Sequence, residues 1–129
     1  MRLLLDTHVV LWALGGNPRL KESVRAAIAE PANAVYVSAA TAWELAIKAA
    51  IGKAKFPERV DQWLPVELAR SRFQELPVTV RHAAAVESLP AHHNDPFDRL
   101  LVAQARIEGL ILVTADRVLR RYQVKLLRA

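Results

Sequence analysis

Leu3-Leu4-Leu5-Asp6-Thr7-His8 near the start of the chain and Leu110-Ile111-Leu112-Val113-Thr114-Ala115-Asp116 near its end share one pattern, a short apolar run closed by an acid. Apolar runs without polar alternation read as strands buried on both faces. Val35-Tyr36-Val37, β-branched and aromatic, predicts a second strand, and Phe73–Val78, with Pro77 near its end, a short third. Helical segments separate these runs. Thr7–Leu14 ends at Gly15-Gly16-Asn17-Pro18, and Leu20–Glu30 stops at Pro31. Ser38 caps a helix that runs to Ile51 with Gly52 at its C′ position, and Val60–Arg72 forms a helix interrupted at Pro65. Val80–Leu89 is a further helix, and Pro96 opens one that ends at Gly109. Leu110–Val113 is the fourth strand, Arg117–Tyr122 a last helical turn and Val124–Leu127 an edge strand. Strands alternating with helices predict an α/β domain over residues 1–129, its parallel sheet of four to five strands covered on both faces.

At 129 residues, 53% hydrophobic and 24% charged, the chain has the size and balance of one globular domain. It has no cysteine, which excludes disulfides and thiolate zinc sites and fits a reducing compartment. An acid at position 6 is incompatible with a signal peptide, and no apolar stretch reaches the roughly 18 residues that a membrane helix needs. The expectation is a soluble, cytoplasmic protein with no membrane partner. The net charge of +5 is unevenly placed: Arg117, Arg120, Arg121, Lys125 and Arg128 against Asp116 give the last fourteen residues +4 of it. A basic excess beside an acidic crevice suits a polyanion.

Four isolated acids stand where strands end or helices begin: Asp6, Glu44, Asp98 and Asp116. In an open parallel sheet these points converge on one crevice. Each acid also has a purely structural explanation. Asp6 and Asp116 suit helix caps, and Asp98 falls at the third helical position behind Asp95 and Pro96. Glu44 pairs with Thr41 in a capping box or with Lys48 four residues on. Its helix, however, is apolar nearly all round, which predicts burial, and a buried carboxylate requires a partner. Four carboxylates in one crevice repel unless a cation neutralises them. Hard oxygen donors suit Mg²⁺ or Mn²⁺, ions that assist phosphodiester hydrolysis, so the pattern points to a metal-dependent nuclease.

The histidines contribute less to this reading. His8 faces out of the first helical turn, His82 sits at a helix start, and His92-His93-Asn94 reads as turn chemistry before Asp95. Trp12 and Trp43 fit core positions, and Trp63 a partner-facing surface. A phosphatase using Asp6 as nucleophile needs a second acid two residues on, where this chain has His8. A non-catalytic binding module, its acidic crevice receiving a basic partner segment, is the alternative. Metal-dependent turnover separates it from a nuclease.

Taken in order, Leu4-Leu5-Asp6-Thr7-His8, Ser38-x-x-Thr41-x-x-Glu44, Asp95-Pro96-Phe97-Asp98-Arg99-Leu100-Leu101-Val102-Ala103-Gln104-Ala105 and Val113-Thr114-Ala115-Asp116 resemble the motifs of PIN domains, specifically the VapC-type ribonuclease toxins of type II toxin–antitoxin pairs. The resemblance covers almost the whole chain. It implies a three-layer α/β/α sandwich and an acidic quartet of Asp6, Glu44, Asp98 and Asp116 holding Mg²⁺ or Mn²⁺. It places Asp95, Thr114, Thr7 and Ser38 at its periphery. It further implies RNA as substrate, homodimerisation and a cognate antitoxin that blocks the site, gripping an arm near Ile51–Arg72. Lys48, Arg99 and Arg117 are candidates for contacting RNA phosphates.

Overall fold

The computed structural model describes residues 1–129. Strands β1 (Arg2–Leu5), β2 (Ala34–Ser38), β3 (Gln74–Leu76), β4 (Ile111–Thr114) and β5 (Leu126–Arg128) form one sheet in the order β3-β2-β1-β4-β5, with every neighbouring pair parallel. Helices α1 (Thr7–Gly15), α2 (Glu22–Ala29), α3 (Ala39–Ala50), α4 (Val60–Arg70), α5 (Val80–Ala85) and α6 (Pro96–Glu108) connect them, with 3₁₀ turns at Val86–Ser88 and Arg117–Arg121. No helix is long and apolar enough to cross a membrane.

Alternation along β1 divides the core between the two faces of the sheet. Leu3 and Leu5 join Val9, Val10, Val24, Leu45 and Leu64 in one fully buried cluster. Leu4 joins Leu101, Val102, Leu112 and Leu119 in the other. Two cores on one sheet make the three-layer α/β/α sandwich. The strand order reverses between β1 and β4, which puts the crevice of the fold at their carboxyl ends. Leu5 lies opposite Val113 in that pair, and the Asp6 amide donates to the Val113 carbonyl at 3.0 Å. The residues after both strands are thereby held side by side.

Several boundaries depart from the expectation for identifiable reasons. The helix over 60–70 is not interrupted at Pro65. Leu64 and Leu68 anchor its buried face, while Pro65 lies on the exposed face, where the carbonyl it leaves unbonded meets water. The 80–89 segment tightens into a 3₁₀ turn after Ala85, and β3 spans only Gln74–Leu76. Helix α3 is not buried all round. Leu45 is in the core, but Trp43 is 62% exposed and meets Phe97 edge-to-face at 5.3 Å, with Ile47 and Ile51 also exposed. Trp63, expected on a partner-facing surface, instead stacks on Phe56 at 5.0 Å and packs against the core.

Candidate metal centre

Three of the predicted acids sit at or near element boundaries, and Glu44 lies within α3. Asp6, buried, caps α1 with Oδ1 accepting from the Val9 amide at 2.9 Å. Asp116 caps the turn after β4, its Oδ1 accepting from the Val118 amide at 2.9 Å. Asp95 caps α6, accepting from the amides of Phe97 and Asp98, which sets Asp98 one turn in, at N3. Glu44 lies on the buried side of α3. The Thr7 hydroxyl donates to its Oε1 at 2.7 Å, and Lys48 Nζ pairs with its Oε2 at 2.8 Å. Cap and site readings therefore coexist: a cap uses one carboxylate oxygen and leaves the other.

The close-packed set differs from the four equal carboxylates expected. His93, Asp98 and Asp116 bring one potential ligand atom each within 4.8 Å of one another. Asp6 and Glu44 stand outside that group, each engaged by its own hydrogen bonds, yet within electrostatic range of it. Burial, then the charges of Asp95, Asp6 and Glu44, push the Asp98 carboxyl up from 3.8 to about 7 against the opposing pull of His93. Burial also raises Asp6, more than the Thr114 hydroxyl and Val9 amide lower it. Burial would lift Asp116 too, but the His93 hydrogen bond and the Val118 amide hold it below the usual range. The charges of Asp98 and Asp6 are thus poorly solvated, while that of Asp116 is compensated by His93 and the Val118 amide. Its oxygen donors, and the lack of sulfur, fit a hard divalent cation.

His93 was not legible as a site residue. Its Nδ1 accepts from the Asp95 amide at 2.9 Å, which leaves the proton on Nε2. Nε2 then donates to Asp116 Oδ2 at 2.8 Å and lies 3.4 Å from Asp98 Oδ2. So placed, the imidazole is a positioning residue for two carboxylates rather than a free ligand. The only signal in sequence was its place two residues before the α6 cap. His93→Ala is expected to weaken ion binding or activity about 10- to 100-fold, the range for groups that orient ligands. Activity against Mn²⁺ concentration would show a raised half-saturation point, which general loss of structure does not mimic.

A pH dependence of stability follows. Where a carboxyl's folded-state pKa lies above its unfolded value, the folded protein binds more protons, so stability falls as pH rises between the two. For Asp98 that window runs from 3.8 to about 7. The metal-free protein is expected to lose thermal stability between about pH 4 and pH 7, and Mn²⁺ to restore it. Melting curves across that range, with chelator and with ion, measure this.

The remaining candidates divide. Thr7 and Thr114 are buried beside the acids, the Thr114 Oγ1 accepting from the Asp116 amide at 3.0 Å. Ser38 caps α3 through the Ala40 amide, a structural task. Lys48 keeps its ammonium at the crevice through Glu44, and Arg117 is exposed beside Asp116. Arg99 is corrected: its guanidinium is directed at the carbonyls of Val86, Leu89 and Pro90 and at the Tyr122 hydroxyl, all within 2.9–3.3 Å. It ties the chain together and is not presented to a phosphate.

Residues 3–125 match the family described as PIN domain. The chain is 35% identical over 122 residues to ribonuclease VapC22 of Mycobacterium tuberculosis, covering 94% of this chain and 92% of that protein. Among solved structures, it resembles VapBC2 from Rickettsia felis, bound to a DNA fragment from its promoter, with a TM-score of 0.75 and 19% identity over 100% of this chain and 99% of that one. It also resembles FitAcB from Neisseria gonorrhoeae, with a TM-score of 0.62 and 22% identity over 98% and 96% of the two chains. At these identities the solved structures speak for the fold.

Proposed function

This chain belongs to the PIN-domain family and is homologous to VapC proteins, and from that premise we propose that it is a metal-dependent endoribonuclease acting as the toxin of a toxin–antitoxin pair. The family supports a nuclease. The observation that carries the metal dependence is the convergence of Asp98 and Asp116 with His93, ligand atoms within 4.8 Å of one another, where burial and the charges of Asp95, Asp6 and Glu44 push the Asp98 carboxyl up to about 7. A group so placed holds a proton where the site, as read here, holds a cation.

In this reading Asp98 and Asp116 would hold one or two Mg²⁺ or Mn²⁺ ions, with Asp6 and Glu44 adding negative charge beside them and His93 orienting Asp116. A bound ion would supply Lewis-acid chemistry, lowering the pKa of a water and polarising the phosphate. The chain's own residues do the rest. Thr7 and Lys48 fix both oxygens of Glu44, so that its carboxylate meets the crevice in one orientation. The Lys48 ammonium, partly exposed, has donors left for a phosphate oxygen. Burial of Asp6 and Thr114 at the crevice floor limits competing water.

Partners are proposed on the same footing. The VapC22 relative is a ribonuclease, and the R. felis structure is of VapBC2 bound to promoter DNA. That supports RNA as substrate and a cognate antitoxin as inhibitor; a homodimer as the working unit and the cytoplasm as its place are proposed from the family resemblance alone. The test is cleavage of a pool of structured RNAs by antitoxin-free protein with Mg²⁺, with Mn²⁺ and with chelator. Ion-dependent cleavage supports the reading. Folded protein that binds RNA but cleaves under none of these conditions favours the binding-module alternative.

A further inference from the structure

Beside the carboxylates lies a second pocket of opposite charge, about 190 Å³, lined by Thr114, Asp116, Arg117, Arg120 and Arg128 with Ala115 and Leu126. Three guanidiniums on one pocket repel, and none of the three takes part in an ion pair within the chain. Its one acid, Asp116, is already turned to His93 and the Val118 amide. Arginine cannot relieve that repulsion by losing its proton, so an anion seated among the three is favoured.

The sheet places this pocket with respect to the site. Arg128 ends β5 directly opposite Thr114, which ends β4, and Asp116 lies two residues beyond. Asp116 is a wall of both the carboxylate group and the arginine pocket. The carboxyl edge of the sheet is therefore divided, acidic over β1 and β4 and basic over β5. A lone phosphate uses one half, whereas a chain of phosphates uses both. We infer that the pocket of Arg117, Arg120 and Arg128 is a subsite for a backbone phosphate of the RNA adjacent to the one being cleaved. The identity of the occupant rests on the ribonuclease reading. The pocket's preference for an anion does not.

The test is binding of a fluorescent mixed-sequence single-stranded RNA to Asp98→Asn protein in chelator, where no turnover occurs, over a series of salt concentrations. Adding Arg120→Gln and Arg128→Gln is expected to weaken binding about tenfold. The slope of log affinity against log salt should become shallower by about 0.7, the amount for one single-strand phosphate contact. Arg121→Gln, exposed on the same turn but outside the pocket, should leave that slope in place. All three side chains are exposed, so the fold tolerates these changes, and unchanged melting curves would verify it. An unchanged affinity and slope in the double variant, or an equal loss in Arg121→Gln, overturns the subsite. Failures of the two readings remain distinct. Pocket-dependent binding without cleavage by otherwise wild-type protein removes the nuclease, and cleavage with a KM indifferent to the double variant removes the pocket.

Discussion

Asp98→Asn is expected to lower ion-dependent RNA cleavage by about a hundredfold or more while leaving a protein that folds and, without metal, is more stable than the parent. The hundredfold is a floor, because residues that merely orient metal ligands already cost up to that much. The stability gain has a separate origin. The Asp98 carboxylate is only 19% exposed and titrates near 7, so at about pH 8 the folded chain bears the cost of ionising it among other acids. From 3.8 to about 7, at 1.36 kcal/mol per pH unit, the ceiling of that cost is about 4 kcal/mol. Asparagine keeps the shape and removes the charge. Single-turnover cleavage and paired melting curves in chelator measure the two halves. A variant that loses activity and stability together would mean that Asp98 supports the fold rather than an ion.

Arg99→Met should produce the largest loss of stability, roughly 3 kcal/mol. Its NH1 and NH2 groups donate to the carbonyls of Val86, Leu89 and Pro90, lie 3.5 Å from that of His93, and reach the Tyr122 hydroxyl at 3.2 Å. Hydrogen bonds to a charged group contribute roughly 1.5–3 kcal/mol, and carbonyls left without a donor add a desolvation cost. The loop they hold carries His93, so cleavage should fall with stability. Arg99→Lys, one ammonium in place of a planar fork, recovers only part of either. Denaturant unfolding gives the number. A variant with wild-type stability and raised KM would return Arg99 to the phosphate-binding role the sequence suggested.

Those two residues show what could be read in advance. That Asp6, Glu44, Asp98 and Asp116 lie near one another was legible because strand ends and helix starts can be located from local pattern, and a parallel sheet gathers its carboxyl ends on one edge. Strand order was not read from the sequence, yet the β1–β4 switch point that it creates is where Asp6 and Asp116 meet. His93 escaped because nothing in a His-His-Asn turn indicates that α6 docking will carry it to the end of β4, 23 positions away. Arg99 misled for the same reason. Its acceptors come from the end of the preceding helical segment and from Tyr122, and a cation beside an acid motif looks free until they are seen. Trp43 was placed in the core on hydrophobicity alone, which measures the gain from burial and not the presence of something to cover the ring. The arginine pocket was half visible as a basic tail; its convergence needed the β4–β5 register.

A cation belongs where these acids meet, and the decisive measurement is calorimetric titration of Mn²⁺ into metal-free protein near pH 6.5, in buffers of different ionisation enthalpy. Wild type should bind the ion and release a proton, because a site that needs its carboxylates ionised must first discharge Asp98. Asp98→Asn should bind at least tenfold more weakly and release none. Absence of binding by folded wild-type protein, or binding that Asp98→Asn leaves unchanged, would contradict the account.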